Sequence, residues 1–599
     1  MDFEKVDGLE VLYGDELLAD IEGAAGLPRR DCFGKLKEYL GSPVEKLLLY
    51  GLRRTGKTVM AKQAMAELPK DAFARTVFIK ATQGLAIPCT PAYELVKDLW
   101  FEGFRTFFID ECTALTDFPA WTKMVSDGIA ARGCHVVLLG MDSLAMWIAE
   151  REFLEGRHRK IRTTRIPCHE WRRLLEVKSP RRLGVEDYVR YGGILDFDGV
   201  PPETELPLEP AHSFRDPASI DWYVHSAIAL NIQNSLARHA SGKDFGPLRD
   251  LWEGHQLHEA IARIVQKNNH ELAFSDLRVP FILEDYYKAR GVALELDSNA
   301  GRAFKKLNAD VRRRINECLC IGGNGQEMQI TVREANEIRR YLQKIDVFKN
   351  AEVLTMPSTM PEKRRDKPRW QKGTRTLQTQ SGIRAGQMRL ACGMAWNIMK
   401  ISGVPIPLKD FLKKAEVAVQ GQMLEDIVFA DLQDVLPNGC RMFKLEWNAA
   451  PGERAEFDVA VVDERDPASP RVSLFEVKHT ESDRGCPEKH MKNPCAIAQV
   501  AESFGRVVSR TIVYNGPTER RAVLWVNADE FLEAVGKNPE ACLFPQLSER
   551  WSPLCSFEPW LAAAADPDIP AECTPAPEPE DEPDAASFEA GCSLPSRPL

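Results

Sequence analysis

At 599 residues the chain is too long for one hydrophobic core, and about two to four domains are expected. Its 44% hydrophobic and 28% charged residues suit a water-dissolved globular protein. No apolar run approaches the ~20 residues that cross a bilayer, and the first residues lack the basic-then-apolar pattern of a signal peptide. The 15 cysteines are scattered without a framework, which excludes a disulfide scaffold and predicts a reducing, cytoplasmic location. The net charge of −10 is unevenly spread: residues 566–599 hold nine acids and one arginine, which leaves −2 for the rest. Overall acidity therefore does not exclude a nucleic-acid partner, because local patches decide that. Two basic patches stand out, at 157–182 and 363–372.

In chain order, residues 1–40 read as a helical lead-in with Leu9, Val11, Leu12, Leu17 and Leu18 as apolar positions. Residues 41–195 alternate apolar strands with helical patterns, which predicts an α/β fold on a parallel sheet. The predicted strands are 47–50, 77–79, 106–109 and 136–139. Residues 196–355 read as mostly helical, with helices over 221–238, 254–266, 281–288 and 332–345. Thr331 and Glu334 have the spacing of a capping box before the last helix. The run 347–354 reads as a two-stranded wing, which would make a winged-helix module. The basic, Pro-containing stretch 356–379 reads as a linker. Residues 380–545 read as a further domain, with helices over 388–401 and 408–435. Strands follow over 441–447, 456–462, 472–477, 511–514 and 522–526, with a helix at 496–504 among them. The tail 566–599, with eight prolines and nine acids, is expected to stay disordered.

Gly51-Leu-Arg-Arg-Thr-Gly-Lys-Thr58 fits the phosphate-loop pattern G-x-x-x-x-G-K-[ST] and lies between an apolar run and a helix-forming run. Its glycines let backbone N–H groups turn toward phosphate oxygens, beside the positive end of a helix. The candidate ATP ligands are Gly51, Arg53, Arg54, Thr55, Gly56, Lys57 and Thr58. Lys57 would neutralise the β- and γ-phosphates, and Thr58 would hold Mg²⁺. About 50 residues on, Thr106-Phe-Phe-Ile-Asp-Glu111 is an apolar strand ending in two acids. Asp110 would complete the Mg²⁺ shell and Glu111 would polarise a water toward the γ-phosphate. Asp142 or Ser143 would either sense the γ-phosphate or form a polar turn. Arg157 and Arg159 are the candidates for an arginine finger, in cis or from a neighbouring subunit of a homo-oligomer, and a surface role is the alternative.

Near the other end, Asp458 lies among apolar residues of one predicted strand, and Glu476 and Lys478 lie on one face of the next. Asp458 and Glu476 are 18 residues apart, joined by a polar loop with Pro467 and Pro470. Two carboxylates on neighbouring strands can bind Mg²⁺, and a lysine beside them can stabilise charge on a phosphate. His479, Cys486, His490 and Cys495 fit no zinc spacing, and Cys318-Leu-Cys320 reads as core packing.

Residues 45–195 resemble the AAA-type ATPase domain of a prokaryotic family of fused P-loop ATPases. The resemblance rests on the 51–58 loop, Phe108-Ile-Asp-Glu111, the Leu138-Leu-Gly-x-x-Ser143 step and Tyr191-Gly-Gly193, where Ile194 stands in place of the family's proline. The family carries a restriction-endonuclease-like domain at its C-terminus. Asp458 with Glu476-x-Lys478 resembles the PD-(D/E)xK nuclease superfamily. Glu425 resembles its helix-borne acidic position and a further metal ligand, and Gln499 its helical glutamine. The resemblance implies an ATPase coupled to a nuclease-like domain acting on DNA, with Trp370 available to stack on a base. The alternative is a nucleotide-switched module whose nuclease-like fold is inert and binds DNA or a regulatory protein. No membrane partner is expected.

Overall fold

The computed structural model describes residues 6–42, 46–82, 87–141, 143–153, 158–163, 165–177, 179, 182–195, 217–239, 246–276, 299–319, 330–356, 370–403, 406–450, 453–481, 491–520 and 523–544. The predicted helix 281–288, most of the basic stretch 363–372 and the tail 566–599 lie outside them. Among the described residues no helix is long and apolar enough to cross a membrane.

The apolar runs of the first part form β2 (Lys46–Tyr50), β3 (Thr76–Ala81), β4 (Thr106–Asp110), β5 (His135–Gly140) and β6 (Arg159–Arg162). With β1 (Leu9–Leu12) they make one sheet in the order β1-β3-β4-β5-β2-β6. Every neighbour pair is parallel except β1 with β3. Every residue of β2 and β4 is buried. Alternate side chains serve opposite faces: Leu47 and Leu49 join Phe78 and Phe108 in one core layer, while Leu48 and Tyr50 join Phe107 and Ile109 in the other. A strand covered on both faces reads as a continuous apolar run, which is why these four were legible. Because β2 sits between β5 and β6 while β3 lies across the sheet, the order reverses beside β2. Ligands of open α/β sheets bind at the carboxyl ends of the strands at such a reversal.

The lead-in departs from the expectation. Leu9–Leu12 is a strand on the edge of this sheet, with Leu9 opposite Ala81 and Leu12 opposite Phe78. Its backbone groups satisfy the edge of β3, a long-range gain that local helical spacing cannot report. Helices Gly14–Ala25 and Phe33–Leu40 follow.

The described residues between 217 and 344 are mostly helical. Pro217–Tyr223 runs through a π-helical turn, Val224–Ala229, into Leu230–His239, and Leu257–Asp276 packs beside it. Val332–Lys344 begins with the predicted capping box: Glu334 N donates to Thr331 Oγ1 (3.2 Å) and Thr331 N to Glu334 Oε2 (2.7 Å). Ile220, Tyr223, Ile261 and Ile345 share a core with Leu52 of the phosphate loop and with Ile194.

The expected wing is not one. Residues 348–356 form a single strand, β7 (Phe348–Met356), and the supposed linker ends in β8 (Gln371–Gln378). These two pair antiparallel, and β7 also runs parallel to β9 (Cys440–Ala450). Both therefore belong to a second, eight-stranded sheet with β10 (Glu453–Asp463), β11 (Arg471–Lys478), β12 (Arg506–Tyr514), β13 (Glu519–Arg520) and β14 (Leu524–Asn527). Its order is β13-β14-β12-β11-β10-β9-β7-β8. The cause is burial: Leu354 and Met356 pack with Phe443, Phe457 and Leu474, which are about 90 to 120 residues away in sequence and invisible to a local reading. Helix Pro494–Phe504 crosses between the parallel neighbours β11 and β12.

The two sheets are joined through the segment after β6. Ile166, Trp171, Leu175 and Tyr188 lie in one core with Met423, Val428 and Phe531. Within it the Arg165 guanidinium pairs with Asp431 and Asp434 of helix Leu408–Asp434, and Arg165 and Asp431 are 5% and 1% exposed. Replacing one member of a buried pair leaves the other charge without compensation, which costs about 3 kcal/mol or more. Arg165→Met should accordingly lower the urea midpoint followed by tryptophan fluorescence; an unchanged midpoint would show that this pair does not hold the two sheets together.

Candidate functional site

Helix Lys57–Ala66 starts directly from Gly56, whose φ is +81°, and Arg54 is also left-handed at φ +61°. A side chain at Gly56 would be strained by that backbone. The loop is gripped by its carbonyls. Tyr223 Oη donates to Arg53 O (3.0 Å), Leu195 N donates to Arg54 O (2.7 Å), and the Arg30 guanidinium donates to Thr55 O. The N–H of a trans peptide points away from its C=O, so these three bonds turn the N–H groups of Arg54, Thr55 and Gly56 to the opposite side, as an anion cradle requires. Thr55 Oγ1 further donates to Leu52 O (2.9 Å) and meets Thr163 Oγ1 (2.9 Å).

Lys57 is buried in this loop, its Nζ donating to Gly51 O (2.9 Å) and Leu52 O (2.8 Å). Burial pulls its pKa down to about 8, against the opposing pull of Glu111 and Asp110. A desolvated ammonium beside inward N–H groups fits a polyphosphate. Thr58 Oγ1 donates to Asp110 Oδ2 (2.7 Å), and Glu111 N donates to Asp110 Oδ1 (2.9 Å). A hydroxyl and a carboxylate already in contact are the hard oxygen donors that Mg²⁺ takes. Glu111 follows Asp110 at φ +53°, which turns the chain sharply at the end of β4. The sequence thus placed the loop and both acids together.

Other expected residues fare differently. Arg159 is not brought to the loop: on β6 it pairs with Leu47, three residues before Tyr50, and its guanidinium donates to Glu38 (2.8 Å). Asp142 and Arg157 lie outside the described residues, and Ser143 begins helix Ser143–Phe153. The Gly192-Gly193 step is a close approach. Gly193 has φ +96°, and a Cβ there would fall 2.5 Å from Gln380 Oε1, while Ile194 is buried against the loop's own core. Sequence reading missed Arg30, Thr163 and Tyr223, since Arg30 meets its partner Glu170 across 140 positions.

In the second sheet, Val459 opposes Phe475, so Asp458 and Glu476 occupy the next facing positions of β10 and β11. Lys478 Nζ lies 2.6 Å from Glu476 Oε1 and 3.8 Å from Asp458 Oδ2, and Val477 N donates to Asp458 Oδ2 (2.7 Å). Glu425, on the long helix Leu408–Asp434, lies 3.4 Å from Lys444 Nζ on β9. Burial, and then Asp458, push the Glu425 pKa up to about 8 and Glu476 well above the carboxylate range. Glu476 Oε2 is buried without a protein partner. Crowded, desolvated carboxylates with an orphaned oxygen fit a divalent cation. Gln499 is half-buried on helix Pro494–Phe504. His479 Nε2 lies 2.6 Å from Glu186 Oε1 of the first part. Cys486 and His490 lie outside the described residues. Lys444 was not foreseen, although a lone lysine between Phe443 and Leu445 was its signal.

A family model described as an AAA domain matches residues 45–171. This stretch is an AAA-type P-loop ATPase domain. No curated protein matches the chain. Among solved structures, a Walker-type ATPase of Pyrococcus abyssi is similar at 12% identity and a TM-score of 0.29, over 60% of this chain and 95% of that one. The Aeropyrum pernix ORC1 protein in complex with DNA is similar at 12% identity and a TM-score of 0.21, over 62% of this chain and 94% of that one. The Saccharomyces cerevisiae Hsp104:casein complex gives 12% identity and a TM-score of 0.24, over 49% and 51%.

The ATPase domain binds nucleotide, and the state of Lys57 sets how that binding depends on pH. The ammonium form meets the phosphates, and with a pKa of about 8 it loses its proton earlier than an exposed lysine. ATP affinity should be flat below that value and fall by about tenfold per pH unit well above it. Titration of a fluorescent ATP analogue across this range checks it, with Lys57→Ala expected to abolish binding.

Proposed function

We propose that this chain uses ATP binding and hydrolysis in its first part to control a nuclease-like site in its second, acting on DNA. The observation that carries the reading is the convergence of Glu425, Asp458, Glu476 and Lys478 beside two neighbouring strands. In this reading residues 41–195 are the ATPase domain, 196–355 a helical connection and 380–545 the nuclease-like domain, to which β7 and β8 add two strands.

In the first site Lys57 and the loop N–H groups would hold the β- and γ-phosphates, while Thr58 and Asp110 would hold Mg²⁺, which would neutralise charge on those phosphates. Glu111 orients a water in line with the γ-phosphorus and takes up its proton as the bond to the bridging oxygen breaks. An arginine would assist: Arg159 is retained for that role only from a neighbouring copy, and Arg157 either in cis or from a neighbouring copy. In the second site Glu425, Asp458 and Glu476 would hold Mg²⁺, which supplies a Lewis acid for a phosphodiester oxygen. Lys478 steadies the negative charge that grows on the phosphate as water attacks and the sugar oxygen leaves. Contact between the sites runs through named groups. Arg30 bonds Thr55 O and Glu170, its Nη2 reaches Arg165 O (3.3 Å), and the Arg165 side chain holds Asp431, six residues beyond Glu425 on one helix.

A second reading has its own observation. Lys444 is fully buried against Glu425 and Lys478 lies on Glu476, so two ammonium groups already stand where a cation would. A nuclease-like fold so neutralised would be inert, and the chain would be a nucleotide-switched module that binds DNA or a regulatory protein.

Plasmid incubated with Mg²⁺, with and without ATP, separates the two. The leading reading expects nicking or cleavage that Asp458→Ala and Lys478→Ala each reduce by about a hundredfold or more, and that Lys57→Ala uncouples from ATP. Cleavage unaffected by Asp458→Ala removes the catalytic claim, and nucleotide-dependent DNA binding without cleavage selects the second reading. Cation binding needs ionised carboxylates, so cleavage should rise with pH up to about 8, where Glu425 titrates. A rate that falls over that range would count against Glu425 as a ligand.

A further inference from the structure

The helical middle carries a group of side chains that neither site uses. His225 stands on the π-helical turn Val224–Ala229, and His258 and Glu259 are the second and third residues of the facing helix Leu257–Asp276. One ligand atom from each lies within 4.8 Å of the others, and all three side chains are half-buried. The two imidazole rings are 5.2 Å apart at their centres, and His258 Nε2 is anchored 3.1 Å from the main-chain O of His225. We propose that His225, His258 and Glu259 form a binding site for one divalent transition-metal ion of the zinc class.

Three physical points support this. Two imidazoles and one carboxylate are a ligand set that suits zinc, with a fourth position left to water. The donors of a tetrahedral ion with bonds of about 2.0 Å lie about 3.3 Å apart, so closure needs shifts of roughly 1.5 Å, which half-buried side chains can make. The π-helical turn is a rare interruption of a helix, and such turns are frequent at functional sites. The surrounding charges are mixed. Asp221 lies 3.9 Å from His225 Nε2 and can orient that ring as an outer partner, whereas Arg263 holds Glu259 Oε1 at 2.7 Å and leaves the second oxygen for the ion.

The position gives the site a consequence. Tyr223, two residues before His225, donates its hydroxyl to Arg53 O of the phosphate loop. An ion at His225, His258 and Glu259 would pin the helix that grips the loop to the helix beside it. The site is independent of whether the second sheet cleaves DNA.

The test uses the full chain, stripped with a chelator and titrated with Co²⁺ as a spectroscopic stand-in for Zn²⁺, without nucleotide and with Mg²⁺ in excess to fill the hard-oxygen sites. The expected result is one Co²⁺ per chain with a nitrogen- and oxygen-ligated visible spectrum, displaced by Zn²⁺. His258→Gln and Glu259→Gln should each weaken binding by about tenfold or more, with circular dichroism unchanged. Zn²⁺ should raise the melting temperature of the parent chain but not of either variant. No saturable Co²⁺ uptake, a thiolate-to-cobalt band that points to cysteines, or variants that bind like the parent would each overturn the proposal.

Discussion

The structure turns on one buried guanidinium. Arg30 is 6% exposed and reaches Thr55 O of the phosphate loop, both oxygens of Glu170 and the main-chain O of Arg165. A charge so deeply placed is tolerable only when fully paired, so the loop, the segment after β6 and the lead-in must assemble together. The same segment then carries Arg165 into the second core, where Asp431 and Asp434 receive it. Two salt bridges in series thus fix the nucleotide site relative to the helix that carries Glu425.

The two sites are electrostatic opposites. In the first, a lysine is desolvated until its pKa falls to about 8, and the nearby peptide N–H groups are turned inward, which favours an anion. In the second, three carboxylates are crowded and desolvated until Glu425 and Glu476 hold their protons far above the usual range, even with the Lys444 and Lys478 ammonium groups beside them. In each, a ligand of opposite charge would relieve an unfavourable burial. That is a physical reason for ligand binding at one end of the molecule to alter the packing near it.

Much of the first domain was legible because its signals are local. A strand buried on both faces is an unbroken apolar run, and a phosphate loop must place its glycines, lysine and threonine at fixed offsets, as Gly51, Gly56, Lys57 and Thr58 do. Asp458, Glu476 and Lys478 were legible for a similar reason, since a two-residue period and a short loop between strands fix their facing positions. The failures share a different cause. Leu9–Leu12 and Phe348–Met356 became strands because distant edges needed partners, and neither the spacing at 9–18 nor that at 347–354 records a partner 66 to 91 residues away.

By itself the sequence determined the chemistry: which groups can meet phosphate, which can hold a cation, and in what order along the chain they come. Only the tertiary structure decided their surroundings. It put Arg30 and Tyr223 behind the loop, Lys444 beside Glu425, and Arg159 at the wrong end of its strand to help in cis. The reason is that residue type and spacing are properties of a segment, whereas burial, pairing and pKa belong to the contacts a segment makes, and here the decisive contacts join residues far apart in sequence.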